Sequence, residues 1–156
     1  MPQARVVMLT RHPVDVYSSY KRRLEKERDL GDRDFQWLDV APDEFAEGYV
    51  RDTNAIKQAG RVYRDRTFLL RYEDFVSSPE QEFRKVCSFV DTSFESDPIK
   101  GRCEALDSWA PDPHLARPIT EDTKDWRDYI PEREASQIET HLQSILKDFE
   151  YEPYTQ

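Results

Sequence analysis

Apolar residues in this chain fall into two short continuous runs and several stripes at helical spacing. The first run, Val6-Val7-Met8-Leu9 within residues 5–10, shows no polar alternation. That is the pattern of a strand buried on both faces, as in parallel sheets. Pro13 then suits the first position of a helix, where its missing N–H needs no partner. Val16 or Tyr17, Tyr20 and Leu24 continue at helical spacing to about Lys26, and the polar residues 27–41 read as a loop. A second helix is predicted from Pro42. Asp43 and Glu44 lie in its first turn, where the helix dipole favours anions, and Phe45, Tyr49, Ile56, Ala59 and Tyr63 mark its buried side. Thr67-Phe68-Leu69-Leu70-Arg71-Tyr72 reads as a second short buried strand. Ser78-Pro79-Glu80-Gln81 reads as an N-cap, a first-turn proline and a capping-box glutamine. Phe83, Val86, Cys87 and Val90 line one face of the helix that follows. Residues 91–130 are irregular and rich in Pro and Asp, a length of loop that is usually functional or mobile. A last helix is predicted from about Pro131 to Phe149, with Ile138, Leu142, Ile145, Leu146 and Phe149 as its apolar stripe.

Strands alternating with helices predict an α/β domain with a parallel sheet. Only two strands are evident, and a two-stranded parallel sheet cannot cover its own faces. Either further strands hide in the loops or part of the sheet lies outside this chain. At 156 residues, one domain over 1–156 is expected.

Composition narrows the function. The chain is 37% hydrophobic and 35% charged, with a net charge of −9, which opposes general binding to nucleic acid or an acidic membrane. A local basic pocket for a small anion stays open: Arg5, Arg11, Lys21, Arg22 and Arg23 cluster near the first turn, although a solvated helix face accounts equally well for the last three. Two cysteines, Cys87 and Cys103, make neither a disulfide framework nor a zinc set, and Cys87 belongs to an apolar stripe. No run reaches the ~18 apolar residues of a membrane span, and the start lacks the apolar core of a signal peptide. A cytoplasmic, reducing compartment is the default expectation.

Three segments can carry chemistry. Arg11 follows the first strand, at the end where parallel α/β proteins bind ligands; its guanidinium can grip a phosphate through paired hydrogen bonds, and Ser19 could add a hydroxyl. The alternative is an Arg11–Asp15 ion pair with Ser19 facing solvent. Tyr72, at the end of the second strand, could offer its ring edge or hydroxyl to a base, while Glu73 and Asp74 orient Arg11 or cap a turn; an ordinary strand-to-helix turn is the alternative. Lys124 and Arg127 flank Trp126 and could close over a nucleotide phosphate, or Trp126 could simply anchor a loop, and Trp37 and Trp109 are expected to be packing residues by the same reasoning. The histidines show no metal spacing, and the sequence around His12 and His114 shows no neighbour that would make either a general base. There is no G-x-S-x-G elbow. Only four glycines occur, Gly31, Gly48, Gly60 and Gly101, so no glycine-rich phosphate loop is present, and no catalytic or metal-ligating residue is assigned.

Together the three segments resemble the sulfotransferase family, which uses 3′-phosphoadenosine 5′-phosphosulfate (PAPS). Arg11-His12-Pro13-Val14-Asp15 through Ser19 is similar to its 3′-phosphate motif, R-x-P-x-D-x-x-x-S. Leu70-Arg71-Tyr72-Glu73-Asp74-Phe75, followed by Ser78-Pro79-Glu80, is similar to its strand-end "RYEDL…P" segment. Thr123-Lys124-Asp125-Trp126-Arg127 with the last helix and Phe149-Glu150-Tyr151 resembles its C-terminal "W-[KR]…G-Y" region. The resemblance implies a P-loop NTPase-like parallel sheet flanked by helices. It puts Arg11 and Ser19 on the 3′-phosphate and Tyr72 near the adenine of PAPS or of its product adenosine 3′,5′-bisphosphate (PAP). Lys124, Arg127 or Arg117 would replace an Arg-Lys-Gly triplet that this sequence lacks. It further implies sulfuryl transfer to an acceptor hydroxyl or amine, with the acceptor pocket drawn from loops at the positions of 27–41 and 91–122. The family's "R-S-G-T-T" loop, and the His or Glu base that follows it, precede the 3′-phosphate motif and are not found. The expectation is therefore the C-terminal part of such a domain, lacking the first strand and phosphate loop and inactive alone. A non-catalytic nucleotide-binding or protein-interaction module, self-associating through an unpaired sheet edge, is the alternative. A nucleotide kinase relative is disfavoured by the absence of a Walker-type lysine.

Overall fold

The structure, a computed structural model, describes residues 4–31, 34–97, 99–100, 118–119 and 125–155. The chain divides into two compact units, one of Met1–Thr10 with Val62–Thr123, the other of Arg11–Arg61 with Lys124–Gln156.

The first unit is built on a parallel pair, β1 (Val6–Thr10) and β2 (Thr67–Arg71), in register from Val6 opposite Thr67 to Thr10 opposite Arg71. Among the described residues the sheet has these two strands. Leu70 and Thr10 are buried, while Val6, Val7, Leu9 and Leu69 stay exposed, unusual for parallel strands, whose two faces are ordinarily covered. Two short helices follow β2: α3 (Tyr72–Ser77) and α4 (Pro79–Val90). The strand predicted to run through Tyr72 thus stops at Arg71, and Tyr72 opens α3. Pro79 takes the first position of α4 as its sequence predicts, but Ser78 makes no side-chain cap hydrogen bond. Its backbone, at φ −136° and ψ 62°, already closes α3 by donating to the Asp74 carbonyl at 2.9 Å. One residue serving as the end of one helix and the start of the next does not hold the geometry of the predicted capping box. Cys87 is buried on α4 as expected, whereas Val90 is exposed. Arg5 donates to the Phe89 carbonyl at 2.5 Å, and Phe89 meets Phe68 of β2 with ring centres 5.5 Å apart.

The second unit is helical: α1 (Pro13–Asp29), α2 (Pro42–Val62, whose last residue falls in the first unit), α5 (Glu132–His141) and α6 (Gln143–Asp148). Two 3-10 turns, Gln36–Leu38 and Trp126–Asp128, join them. Its core gathers Val14 and Tyr17 of α1, Phe45 and Ala46 of α2, Trp126 and Ile130, and the stripe Ala135, Ile138, Leu142, Ile145, Leu146 and Phe149. The stripe is as the sequence predicts, but it spans two helices rather than one: Leu142 leaves helical geometry at φ −103° and ψ 14° while staying fully buried. Tyr63, expected on the buried side of α2, lies beyond that helix and is half-exposed. Trp37, expected to pack, is 62% exposed; the residue of its turn that is buried is Leu38. No helix among the described residues is long and apolar enough to cross a membrane.

Candidate functional site

Arg11 directly follows β1 in sequence and directly precedes the N-cap of α1, His12. Its main chain is fixed from α2, because the Tyr49 hydroxyl donates to the Arg11 carbonyl at 2.5 Å. Arg11 itself is half-buried, as is Ser19 in the second turn of α1. The neighbouring Ser18 is committed to the helix, its hydroxyl donating to the Asp15 carbonyl at 3.1 Å.

The start of α1 shows what kind of anion site this can be. Pro13 has no N–H. The Val14 N–H donates to His12 Nδ1 at 3.3 Å and the Val16 N–H to the His12 carbonyl at 3.1 Å. His12 thus caps one of the donors, the Val14 N–H, that make other helix N-termini anion sites, and the Val16 N–H makes the first regular bond of the helix. The positive end of this 17-residue helix adds a field that favours an anion. Asp15, the one acidic residue of that first turn, accepts the Tyr154 hydroxyl at 2.9 Å.

The basic cluster beyond Ser19 has local partners. Lys21 Nζ donates to the Val40 carbonyl at 2.8 Å and lies 3.6 Å from Asp39. Arg22 lies over the Tyr129 ring and Arg23 pairs with Glu27 at 2.5 Å. All three cations thus have partners within the second unit.

Arg127 sits in the same unit as Arg11 and Ser19. Asp125 caps its turn by accepting the Arg127 N–H at 3.0 Å and holds its guanidinium at 3.3 Å, 4.3 Å above the Trp126 ring centre. Trp126 is 5% exposed and part of the core, so it anchors the segment and is no open wall for a nucleotide. Lys124, Arg117, Trp109, His114 and Cys103 lie outside the described residues. Tyr72 belongs to the first unit, half-buried at the first position of α3, with Arg71 as N-cap and Arg71 Nε 3.9 Å from Asp74. The segment Arg71–Asp74 is thus a strand-to-helix turn in which Asp74 faces its own Arg71. Sequence reasoning missed the partners of His12: Tyr154 stacks on its ring and Glu139 approaches it. Nothing in the local pattern around residue 12 points to residues so distant in sequence.

A sequence model of the sulfotransferase family matches residues 1–96, a span that contains Arg11, Ser19 and Tyr72. The chain belongs to the sulfotransferase family. Among solved structures it is similar to a sulfotransferase domain from the curacin biosynthetic pathway, with a TM-score of 0.57 and 22% identity over 96% of this chain and 54% of that one. The chain therefore spans about half the length of that domain, and the likeness shows a shared fold. No curated protein sequence matches significantly.

Proposed function

We propose that this chain binds PAPS, or its product PAP, through the 3′-phosphate, as the nucleotide-holding portion of a transferase that moves a sulfuryl group to an acceptor hydroxyl or amine. The observation that carries this reading is the placement of Arg11: half-buried, its main chain pinned by Tyr49, and followed at residue 19 by a half-buried serine on the helix that comes next. This is the R-x-P-x-D-x-x-x-S pattern, and it lies inside the matched family segment. The residues suit the ligand, since a dianionic phosphate needs a fixed guanidinium and a hydroxyl donor, and the α1 field has the right sign.

In this reading Arg11 and Ser19 hold the 3′-phosphate, Tyr72 lies along the adenine, and Lys124 with Arg127 adds positive charge. Arg127 must leave Asp125 to do so and contributes least. The sheet of the first unit is then part of a P-loop NTPase-like sheet, in a cytoplasmic enzyme. PAPS supplies the activated sulfuryl group. The side chains named here orient the nucleotide, which is how transfer of this kind gains rate: positioning and charge stabilisation rather than covalent chemistry by the protein.

The test is thermal unfolding with PAP and with adenosine 5′-monophosphate, which lacks the 3′-phosphate. A ligand that binds only the folded chain raises its midpoint. PAP should raise it at concentrations where the monophosphate does not; equal shifts, or none, contradict the reading.

A second reading has its own observation. The exposed Val6, Val7, Leu9 and Leu69 lie on strands whose outer edges are unpaired among the described residues, and such edges recruit other strands. A non-catalytic module that self-associates through β1 or β2 would show a sedimentation coefficient rising with protein concentration. A constant monomeric value would remove this reading.

A further inference from the structure

The closing segment of the chain, Tyr151–Thr155, lies against the start of α1 through contacts that the nucleotide reading does not use. His12 is 1% exposed, and each of its ring nitrogens has an assigned task. Nδ1 accepts the Val14 N–H, so the ring proton resides on Nε2, which faces the Glu152 carbonyl at 3.2 Å. The imidazole is held between two aromatic rings: Tyr154 stacks on it at 3.8 Å and 15°, and Tyr151 meets it edge-on at 5.4 Å. Tyr154 then reaches past His12 to donate to Asp15.

The segment is pinned at its far end as well. Glu139 of α5, a buried carboxylate, accepts the Tyr154 N–H at 2.6 Å and the Thr155 N–H at 3.0 Å, and also the Thr155 hydroxyl. The same carboxylate lies 3.8 Å from His12 Nε2. One buried acid thus ties Tyr154 and Thr155 to the N-cap residue that follows Arg11.

We infer that Tyr151–Thr155 is a strap that sets the orientation of Arg11, with His12 and Tyr154 as positioning residues for the phosphate it holds. The inference rests on the nucleotide reading above. Its physical content is local. His12 is bonded through the chain to Arg11, and Tyr154 restrains both His12 and Asp15. Loosening the ring stack frees the first turn of α1, and a bidentate guanidinium contact depends on orientation more than on the presence of charge. Residues remote from the ligand in sequence then control one phosphate of it and leave the rest of the nucleotide alone.

The test uses the full chain and compares affinity for PAP with affinity for adenosine 5′-monophosphate in Tyr154→Ala, Tyr154→Phe and His12→Asn. Circular dichroism and the unfolding midpoint report whether each variant folds. Tyr154→Ala should lower the preference for PAP by about two- to tenfold, the range of one lost net hydrogen bond, with monophosphate affinity unchanged. Tyr154→Phe keeps the stack and loses the Asp15 bond, and should lose less. His12→Asn keeps a cap acceptor for Val14 but gives up the stack, and should behave as Tyr154→Ala does. A purely structural role would move both ligands together, and that outcome overturns the strap. A wild-type preference for PAP retained in full by Tyr154→Ala also overturns it, while leaving the nucleotide reading intact. Wild-type chain with no preference for PAP overturns the nucleotide reading itself. Should Tyr154→Ala fail to fold, Tyr154→Phe decides: an undiminished preference there ends the proposal.

Discussion

Replacing Tyr17 with Phe removes one hydroxyl from the core of the second unit, and its effect should change with pH. The Tyr17 ring is 1% exposed, and its hydroxyl donates to the Val40 carbonyl at 3.1 Å. Burial, then the nearby Glu134 carboxylate and Asp39, push the phenol well above the usual tyrosine range. At neutral pH the substitution deletes the hydroxyl's bond to Val40 and its interaction with the Glu134 side chain. The Val40 carbonyl is not orphaned, because Lys21 Nζ also donates to it at 2.8 Å. The cost should therefore fall at the low end for such a deletion, about 0.5–1 kcal/mol. Above pH ~10 the unfolded chain loses this proton while the folded chain keeps it. A raised folded pKa contributes stability that is complete below the unfolded value and lost as pH rises, here by about 1.4 kcal/mol per pH unit. Between pH 8 and pH 11 the wild type should thus lose about 1.4 kcal/mol that Tyr17→Phe does not lose. Urea unfolding of both proteins at the two pH values measures this, and taking the difference cancels the other titrating groups. The variant should be the less stable at pH 8 and equal or more stable at pH 11. An identical gap at both values would refute the reasoning.

Three further substitutions test the packing and caps. Leu142→Ala removes a fully buried side chain where the last stripe changes helix, and should cost about 2–5 kcal/mol in urea unfolding; a loss under about 1 kcal/mol would mean that this stripe is not core. Asp91 ends α4 in the left-handed conformation at φ 63°, so Asp91→Gly should raise stability by about 0.5–1 kcal/mol, and a decrease would contradict the cap geometry. Ser78→Ala should change stability by less than about 0.5 kcal/mol, where a working N-cap would lose about 1 kcal/mol; the larger loss would restore the capping box.

How far the sequence was legible follows from where the determining contacts lie. Val6–Leu9, Phe68–Leu70 and the stripe from Ile138 to Phe149 are encoded by neighbours a few residues apart: the two runs form strands where expected, although Val6, Val7, Leu9 and Leu69 are exposed rather than buried, and the stripe lines the core. Pro13 and Pro79 fix helix starts by their own covalent geometry, so they too could be read directly. The break at Leu142 left no mark in the pattern, because both helices present the same apolar face and no Gly or Pro intervenes. Ser78 misled because its local string is that of a cap while its backbone is already committed to closing α3. Trp37 misled because a large aromatic residue is ordinarily buried and nothing nearby in sequence says otherwise. Arg11, Ser19 and Tyr72 could be read as an ordered set of family motifs, whereas the Tyr49 contact to Arg11 and the Tyr154 stack on His12 join residues 38 and 142 positions apart. Contacts of that range are set by folding and carry no periodic signal.

The central claim is that Arg11 recognises the 3′-phosphate of an adenine nucleotide. It is tested most directly by calorimetric titration of wild type and Arg11→Ala with PAP and with adenosine 5′-monophosphate, closing a cycle between one side chain and one phosphate. The account predicts that Arg11→Ala weakens PAP binding by about 1.5–3 kcal/mol, the range for a hydrogen bond to a charged group, and leaves the monophosphate unchanged. A folded Arg11→Ala chain that binds PAP as tightly as wild type, or loses both ligands equally, would contradict it.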